Sequence, residues 1–124
     1  IITYTVDKVG RKEIKYSDSR TTEVPLVVLI NENSASASEI LSAAIKDYGV
    51  GKIVGKTSYG KGLVQEFVSL GDGTYVKLTI SEYFSPKGTK INKIGVTPDY
   101  EVEDNKDTTE DEQLIKALEV IKNF

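Results

Sequence analysis

The sequence predicts an α/β fold with more strand than helix, on three observations. An apolar run at residues 24–30 passes through a turn of small residues into an amphipathic helix. Several segments rich in β-branched and aromatic residues are separated by glycine-rich turns. Only two segments carry a helical period, so strand and helix do not alternate evenly, as they would in a doubly wound nucleotide fold. A sheet-rich, layered α/β arrangement fits better.

Each element has a local reason. Residues 1–6 (Ile-Ile-Thr-Tyr-Thr-Val) read as a strand, with residues 12–16 as a partner beyond Gly10. Residues 17–23 are polar and loop-like. Residues 24–30 follow the pattern of a central strand buried on both faces. Residues 31–34 break it. From Ser36 to Tyr48, Ile40, Leu41, Ala44, Ile45 and Tyr48 fall on one helix face, with Ser36 or Ser38 to cap it and Gly49 to stop it. Residues 52–54 form a short strand and 57–62 a glycine-rich loop. Residues 63–70 and 75–84 alternate as strands around the turn Gly71-Asp72-Gly73-Thr74. Pro86-Lys87-Gly88 is a turn, and residues 95–97 are a short extended piece ended by Pro98. Thr109 and Glu112 have capping-box spacing before a helix carrying Leu114, Ile115, Leu118 and Ile121.

The 124 residues fit a single domain spanning 1–124. The start at Ile1-Ile2-Thr3, with no Met in the chain, leads us to expect a piece of a longer protein. No apolar run reaches the ~18 residues of a membrane span. Histidine and cysteine are both absent. That excludes a Ser-His-Asp triad, thiolate chemistry, disulfides and imidazole or thiolate metal sites. Neither a metal nor a cofactor is expected. The net charge of −3 is uneven, because eight of the fourteen residues at 99–112 are Asp or Glu. This segment reads as a solvated acidic connector to the last helix, and it lacks the D-x-D-x-D-G spacing of a calcium loop. No basic stripe with interleaved aromatics suggests nucleic acid.

Two segments could carry chemistry. Asn33-Ser34-Ala35-Ser36-Ala37-Ser38-Glu39 places small hydroxyl residues between a buried strand and a helix start. There the helix dipole and unpaired backbone N–H groups favour developing negative charge. Capping and close packing alone would also explain these residues. Gly55-Lys56-Thr57-Ser58-Tyr59-Gly60-Lys61-Gly62 begins like a phosphate-binding loop. However, Gly62 stands where Ser or Thr should hold magnesium, and a strand pattern follows where a helix is needed. Without histidine, a serine hydroxyl would need a lysine as its base. Such a lysine must be desolvated enough to lose its proton near neutral pH, whereas most lysines are solvated. Lys61, between glycines at a strand start, could meet that need if apolar strands surrounded it. Gln65 could orient its amine without charge, and strand alternation would set residues 61, 63 and 65 on one face.

The run from Pro25 to Ile40, Pro-Leu-Val-Val-Leu-Ile-Asn-Glu-Asn-Ser-Ala-Ser-Ala-Ser-Glu-Ile, closely resembles the nucleophile segment of carboxyl-terminal processing proteases. These are also called tail-specific proteases, the S41 peptidase family. The run from Val54 to Gln65 resembles the family's lysine segment. Asp72-Gly73, Ser85-Pro86-Lys87-Gly88 and Gly95-Val96-Thr97-Pro98-Asp99 fit the family as well. The resemblance covers about residues 24–100 and sets its two long motifs 25 positions apart, Ser36 to Lys61.

The resemblance implies Ser36 as nucleophile, Lys61 as general base and later acid, and Gln65 as the residue orienting the lysine. It also implies the Ala37 backbone N–H as an oxyanion donor and Glu39 in support, with no catalytic role for Ser34 or Ser38. It implies a ClpP/crotonase-like layered fold and a serine endopeptidase cleaving protein C-terminal regions through a Ser-Lys dyad and an acyl-enzyme. The chain is then expected to be the C-terminal part of the peptidase core, lacking the PDZ domain, the first half of the core and a paired-glycine oxyanion segment. The isolated piece is expected to have little activity. Partners are a protein or peptide substrate and the parent's PDZ domain. Exposed sheet edges leave homo-oligomerisation open. The implied location is the cell envelope or another extracytoplasmic site, membrane-associated through the missing N-terminus. Two rival readings are a non-catalytic peptide- or ligand-binding module of the same fold and a nucleotide-binding protein using residues 55–61.

Overall fold

The computed structural model describes residues 1–105, 107 and 109–124. The elements in chain order are β1 (Thr3–Asp7), β2 (Lys12–Lys15), β3 (Val27–Ile30), α1 (Ala37–Tyr48), β4 (Lys52–Gly55), β5 (Leu63–Ser69), β6 (Tyr75–Phe84), β7 (Tyr100–Glu101) and α2 (Glu112–Ile121). They form an antiparallel sheet in the order β2-β1-β6-β5 and a parallel sheet in the order β3-β4-β7. Lys106 and Thr108, in the acidic connector, lie outside the described residues.

The parallel sheet is covered by a helix on each face, and β4 shows how. Its successive residues Ile53 and Val54 are both fully buried. Ile53 joins a cluster with Ile30, Ala43, Ile45, Ile91 and Val96, whereas Val54 joins Ala117 and Val120 of α2. Adjacent strand residues point to opposite faces, so a continuous apolar run serves two layers. Burying each isoleucine or valine side chain of these clusters contributes about 1.5–3 kcal/mol.

The β3–α1–β4 crossover brings the start of α1 to the carboxyl ends of both strands. Ile30 pairs with Gly55 there. A Cβ at Gly55 would sit 1.9 Å from the Ile30 carbonyl oxygen, so only glycine permits this approach. The Lys56 N–H then donates to the same carbonyl at 3.0 Å, and the glycine-rich loop leaves β4 beside the turn after β3.

Several expectations change. Residues 24–30 do not form a central strand: β3 is shorter, pairs only with β4 among the described residues and leaves Leu29 exposed, and Val24 lies exposed before it. A continuous apolar run cannot distinguish a central strand from an edge strand whose remaining neighbours lie elsewhere. The last strand is β7, not residues 95–97, whose Val96 instead bonds to Ser58. Asp111 rather than Thr109 caps α2, its carboxylate accepting from Leu114 N–H at 2.8 Å. α2 buries Ala117 and Val120 and leaves Leu114, Ile115 and Leu118 exposed. Leu41 and Tyr48 of α1 also face outward. The acidic connector is tied at its start, where Asp99 accepts from Ile53 N–H at 2.8 Å and Glu103 pairs with Lys56 at 2.8 Å.

Candidate active site

The turn after β3 is closed by Ser34, whose N–H donates to the Asn31 carbonyl at 2.9 Å and whose hydroxyl accepts from Asn31 N–H at 3.1 Å. Ser36 follows at the N-cap of α1 with φ 58° and ψ −112°. A non-glycine residue held at positive φ costs about 1–3 kcal/mol and persists only where its surroundings enforce it.

Glu39 supplies the enforcement. It stands in the first turn of α1, at the positive end of the helix dipole, and is fully buried. Its Oε2 accepts from the backbone N–H groups of Ser36 at 2.9 Å and Lys61 at 2.8 Å. Its Oε1 accepts from the Ser58 hydroxyl at 2.6 Å and Gly60 N–H at 2.6 Å. A buried carboxylate is costly unless its lone pairs are filled, and these four donors fill them. One side chain thus clamps the serine turn to the lysine loop. Tyr59 N–H reinforces the clamp by donating to the Ser34 carbonyl at 2.9 Å.

Ser58 extends the network. Its buried hydroxyl also accepts from Val96 N–H at 2.7 Å, tying the loop to the segment after β6. Sequence reading gave Ser58 no role. The available signal was a small hydroxyl residue inside a glycine-rich loop, which sequence alone does not distinguish from an exposed turn residue.

The remaining candidates are placed as follows. Ala37 N–H has no protein acceptor among the described residues, as expected of a first-turn helix donor. Lys61 is exposed, and its ammonium has no hydrogen-bond or ion-pair partner among the described residues. It precedes β5, so strand alternation does not extend to it, and among the described residues no apolar strands enclose its side chain. Gln65 lies on exposed β5 and donates from Nε2 to Thr79 Oγ1 at 3.4 Å, not to Lys61. The structure therefore brings together Ser36, Ala37, Glu39 and the Lys61 backbone and leaves Gln65 unconnected to them. Lys56, the other lysine of the loop, is held above the usual lysine range by its hydrogen bond to Glu103, with the charges of Glu103 and Glu32 adding to the effect. The loop runs into β5 rather than a helix, so no helix N-terminus meets it, as a phosphate loop would require.

The fold and site define a layered α/β chain built around a strained serine and a buried carboxylate. The model of Peptidase family S41 matches residues 1–102, and the chain belongs to that family. The chloroplastic C-terminal processing peptidase of Tetradesmus obliquus is 41% identical over 114 residues, covering 90% of this chain and 25% of the relative. The carboxy-terminal-processing protease of Bartonella bacilliformis is 48% identical over 83 residues, covering 67% of this chain and 19% of the relative. Among solved structures, a photosystem II D1 C-terminal processing protease superposes with a TM-score of 0.69 at 44% identity, covering 82% of this chain and 27% of that one. A lipoprotein from Streptococcus agalactiae shares the fold, with a TM-score of 0.78 at 23% identity over 98% of this chain and 44% of that one. The chain thus spans about a quarter of the length of the first two curated relatives it matches, 25% and 24%.

Proposed function

We propose that the protein carrying this chain is a serine endopeptidase that processes protein C-terminal regions, with Ser36 as nucleophile and Lys61 as base. The observation that carries the proposal is the shared Glu39 oxygen, which holds the Ser36 and Lys61 backbones side by side. The two curated relatives described above, a C-terminal processing peptidase and a carboxy-terminal-processing protease, support the substrate class.

In this reading Ser36 Oγ attacks the scissile carbonyl carbon while the neutral Lys61 amine takes the hydroxyl proton. The tetrahedral oxyanion accepts from Ala37 N–H at the start of α1. As the C–N bond breaks, Lys61 returns the proton to the leaving amine. Water, deprotonated by the same lysine, then hydrolyses the acyl-enzyme. Glu39 positions the two backbones without touching substrate, and Gln65 orients the lysine once the site is assembled.

A lysine base needs desolvation that the described residues do not give Lys61. In our reading the covering comes from protein outside this chain, including the first half of the core and a PDZ domain, together with the bound substrate. This part alone is then nearly inactive. The ClpP/crotonase-like character of the fold, the open oligomeric state and an extracytoplasmic or lumenal location belong to the same proposal. Two of the relatives named above are chloroplastic or bacterial processing enzymes. Among the described residues, no helix is long and apolar enough to cross a membrane.

The test is peptide hydrolysis by the longer protein and by residues 1–124. We expect turnover by the longer protein that is abolished by Ser36→Ala and by Lys61→Ala, with little turnover by the short chain. Full activity in either variant contradicts the assignment. The second reading is a peptide-binding module, favoured by the exposure of Lys61 and the separate bonding of Gln65. It predicts binding without turnover, unaffected by Ser36→Ala.

A further inference from the structure

Next to Ser36 in the chain, Ala35 lines a groove together with Asn33, Tyr59, Lys61, Leu63 and Lys93. It carries two lysines and no carboxylate, in a chain whose net charge is −3. Glu39, which accepts from the backbone N–H groups of Gly60 and Lys61 in the groove lining, is buried and has its oxygens taken by four donors.

Lys93 is the unusual member. Its φ is 63°, a left-handed conformation that glycine adopts without strain and lysine does not. It is held there by its N–H, which donates to the Gly60 carbonyl at 2.8 Å. The approach is close, since a Cβ at Gly62 would meet the Asn92 backbone nitrogen at 2.4 Å. The Lys93 segment is therefore locked against the loop that carries Lys61. Its ammonium is exposed and has no hydrogen-bond or ion-pair partner among the described residues. Lys93 thus sets, at a φ that favours glycine, a cation without a partner among the described residues on the wall of this groove.

We propose that Lys93 is a specificity-determining residue whose ammonium binds a carboxylate of the substrate peptide near the scissile bond. The proposal rests on the Ser36–Lys61 reading for the position of the scissile bond. Lys61 is committed to proton transfer in that reading, which leaves Lys93 as the groove's other lysine to meet a carboxylate. Its pairing with a carboxylate at the surface is modest and sensitive to salt.

The experiment uses the full-length protein and a series of peptides scanned on each side of the cleaved bond. Each peptide carries Glu or Gln at one position and has a free or an amidated C-terminus. We expect kcat/KM to favour the carboxylate form by about two- to five-fold, less at high salt. Lys93→Gln should remove the preference and Lys93→Glu should reverse it. Lys93→Gly should remove it while preserving or raising the unfolding midpoint, which excludes misfolding as the cause. The Glu/Gln ratio identifies a side-chain carboxylate and the free/amidated ratio a terminal one. If neither ratio changes in Lys93→Gln and Lys93→Gly, the proposal is overturned. Peptide Kd measured on a Ser36→Ala background reads the same preference without turnover. If Ser36→Ala still cleaves, the catalytic reading fails, while the Kd series still decides the role of Lys93.

Discussion

Ser36 and Lys61, 25 positions apart in the chain, donate their backbone N–H groups to one and the same oxygen of Glu39, at 2.9 and 2.8 Å. Their nitrogens can be separated by no more than those two bonds laid end to end. The geometry of the candidate site is thus a property of a third, fully buried residue.

Removing that residue should be costly. Glu39→Ala leaves the N–H groups of Ser36, Gly60 and Lys61 and the Ser58 hydroxyl without their acceptor. We expect a loss of about 3–5 kcal/mol, as for breaking a buried charged network, read as a fall in the urea midpoint at constant slope. Glu39→Gln keeps the volume but turns an NH2 group towards donors, so it should fall between Ala and wild type. An unchanged midpoint in Glu39→Ala would show that the network does not hold the fold.

Ser58→Ala should act through the same network on a smaller scale. It removes one donor to Glu39 and the acceptor of Val96 N–H, and it should cost about 1–3 kcal/mol. Amide exchange at Val96 should accelerate in the variant. Unaltered exchange there would contradict the bond.

Gly55→Ala tests the strand crossing. The added methyl meets the Ile30 carbonyl at 1.9 Å, at a φ of 125°. The β3–β4 pairing cannot persist with it, and we expect loss of cooperative folding by circular dichroism and urea melts. A variant that melts like wild type would show that the two strands do not approach as described.

The β5–β6 turn carries a proton-linked contribution. The Thr74 hydroxyl first, and then Thr74 N–H, hold the Asp72 carboxyl below the ordinary aspartate value of 3.8. The unfolded chain therefore binds the proton more tightly. The contribution is present above pH 3.8 and lost as pH falls through the folded value. NMR titration of the Thr74 amide should give a midpoint below 3.8, shifted by Thr74→Ala towards the ordinary value. A midpoint at or above that value would remove the bond to Asp72.

Local signals in the sequence reached far. Alternation found β1, β5 and β6, the glycines found the β5–β6 turn, and the helical period with Gly49 found α1. What failed was anything dependent on neighbours distant in the chain. Burial of β3 depends on how many strands flank it, and the faces of α1 and α2 depend on which layer they cover. That is why Leu41, Leu114 and Leu118 read as core and lie exposed. The cap at Ser36 was legible because a small hydroxyl residue precedes the helical period, whereas the bonds of Glu39 to the lysine loop were not, since they reach 19 to 22 positions along the chain. Ser58 was not, because its two partners, Glu39 and Val96, are 19 and 38 positions away. Desolvation of Lys61 depends on what encloses it, which adjacent residues do not determine: Lys61 lies before β5 begins at Leu63, and its side chain is exposed.

The central claim is that Ser36 is a nucleophile activated by Lys61. The most direct measurement is the site and rate of fluorophosphonate attachment to the full-length protein, followed by peptide mapping. The account predicts a single adduct on Ser36, absent in Ser36→Ala and slowed to background in Lys61→Ala, with both variants folded. An adduct on another residue, or labelling of Ser36 at the wild-type rate in Lys61→Ala, would contradict it.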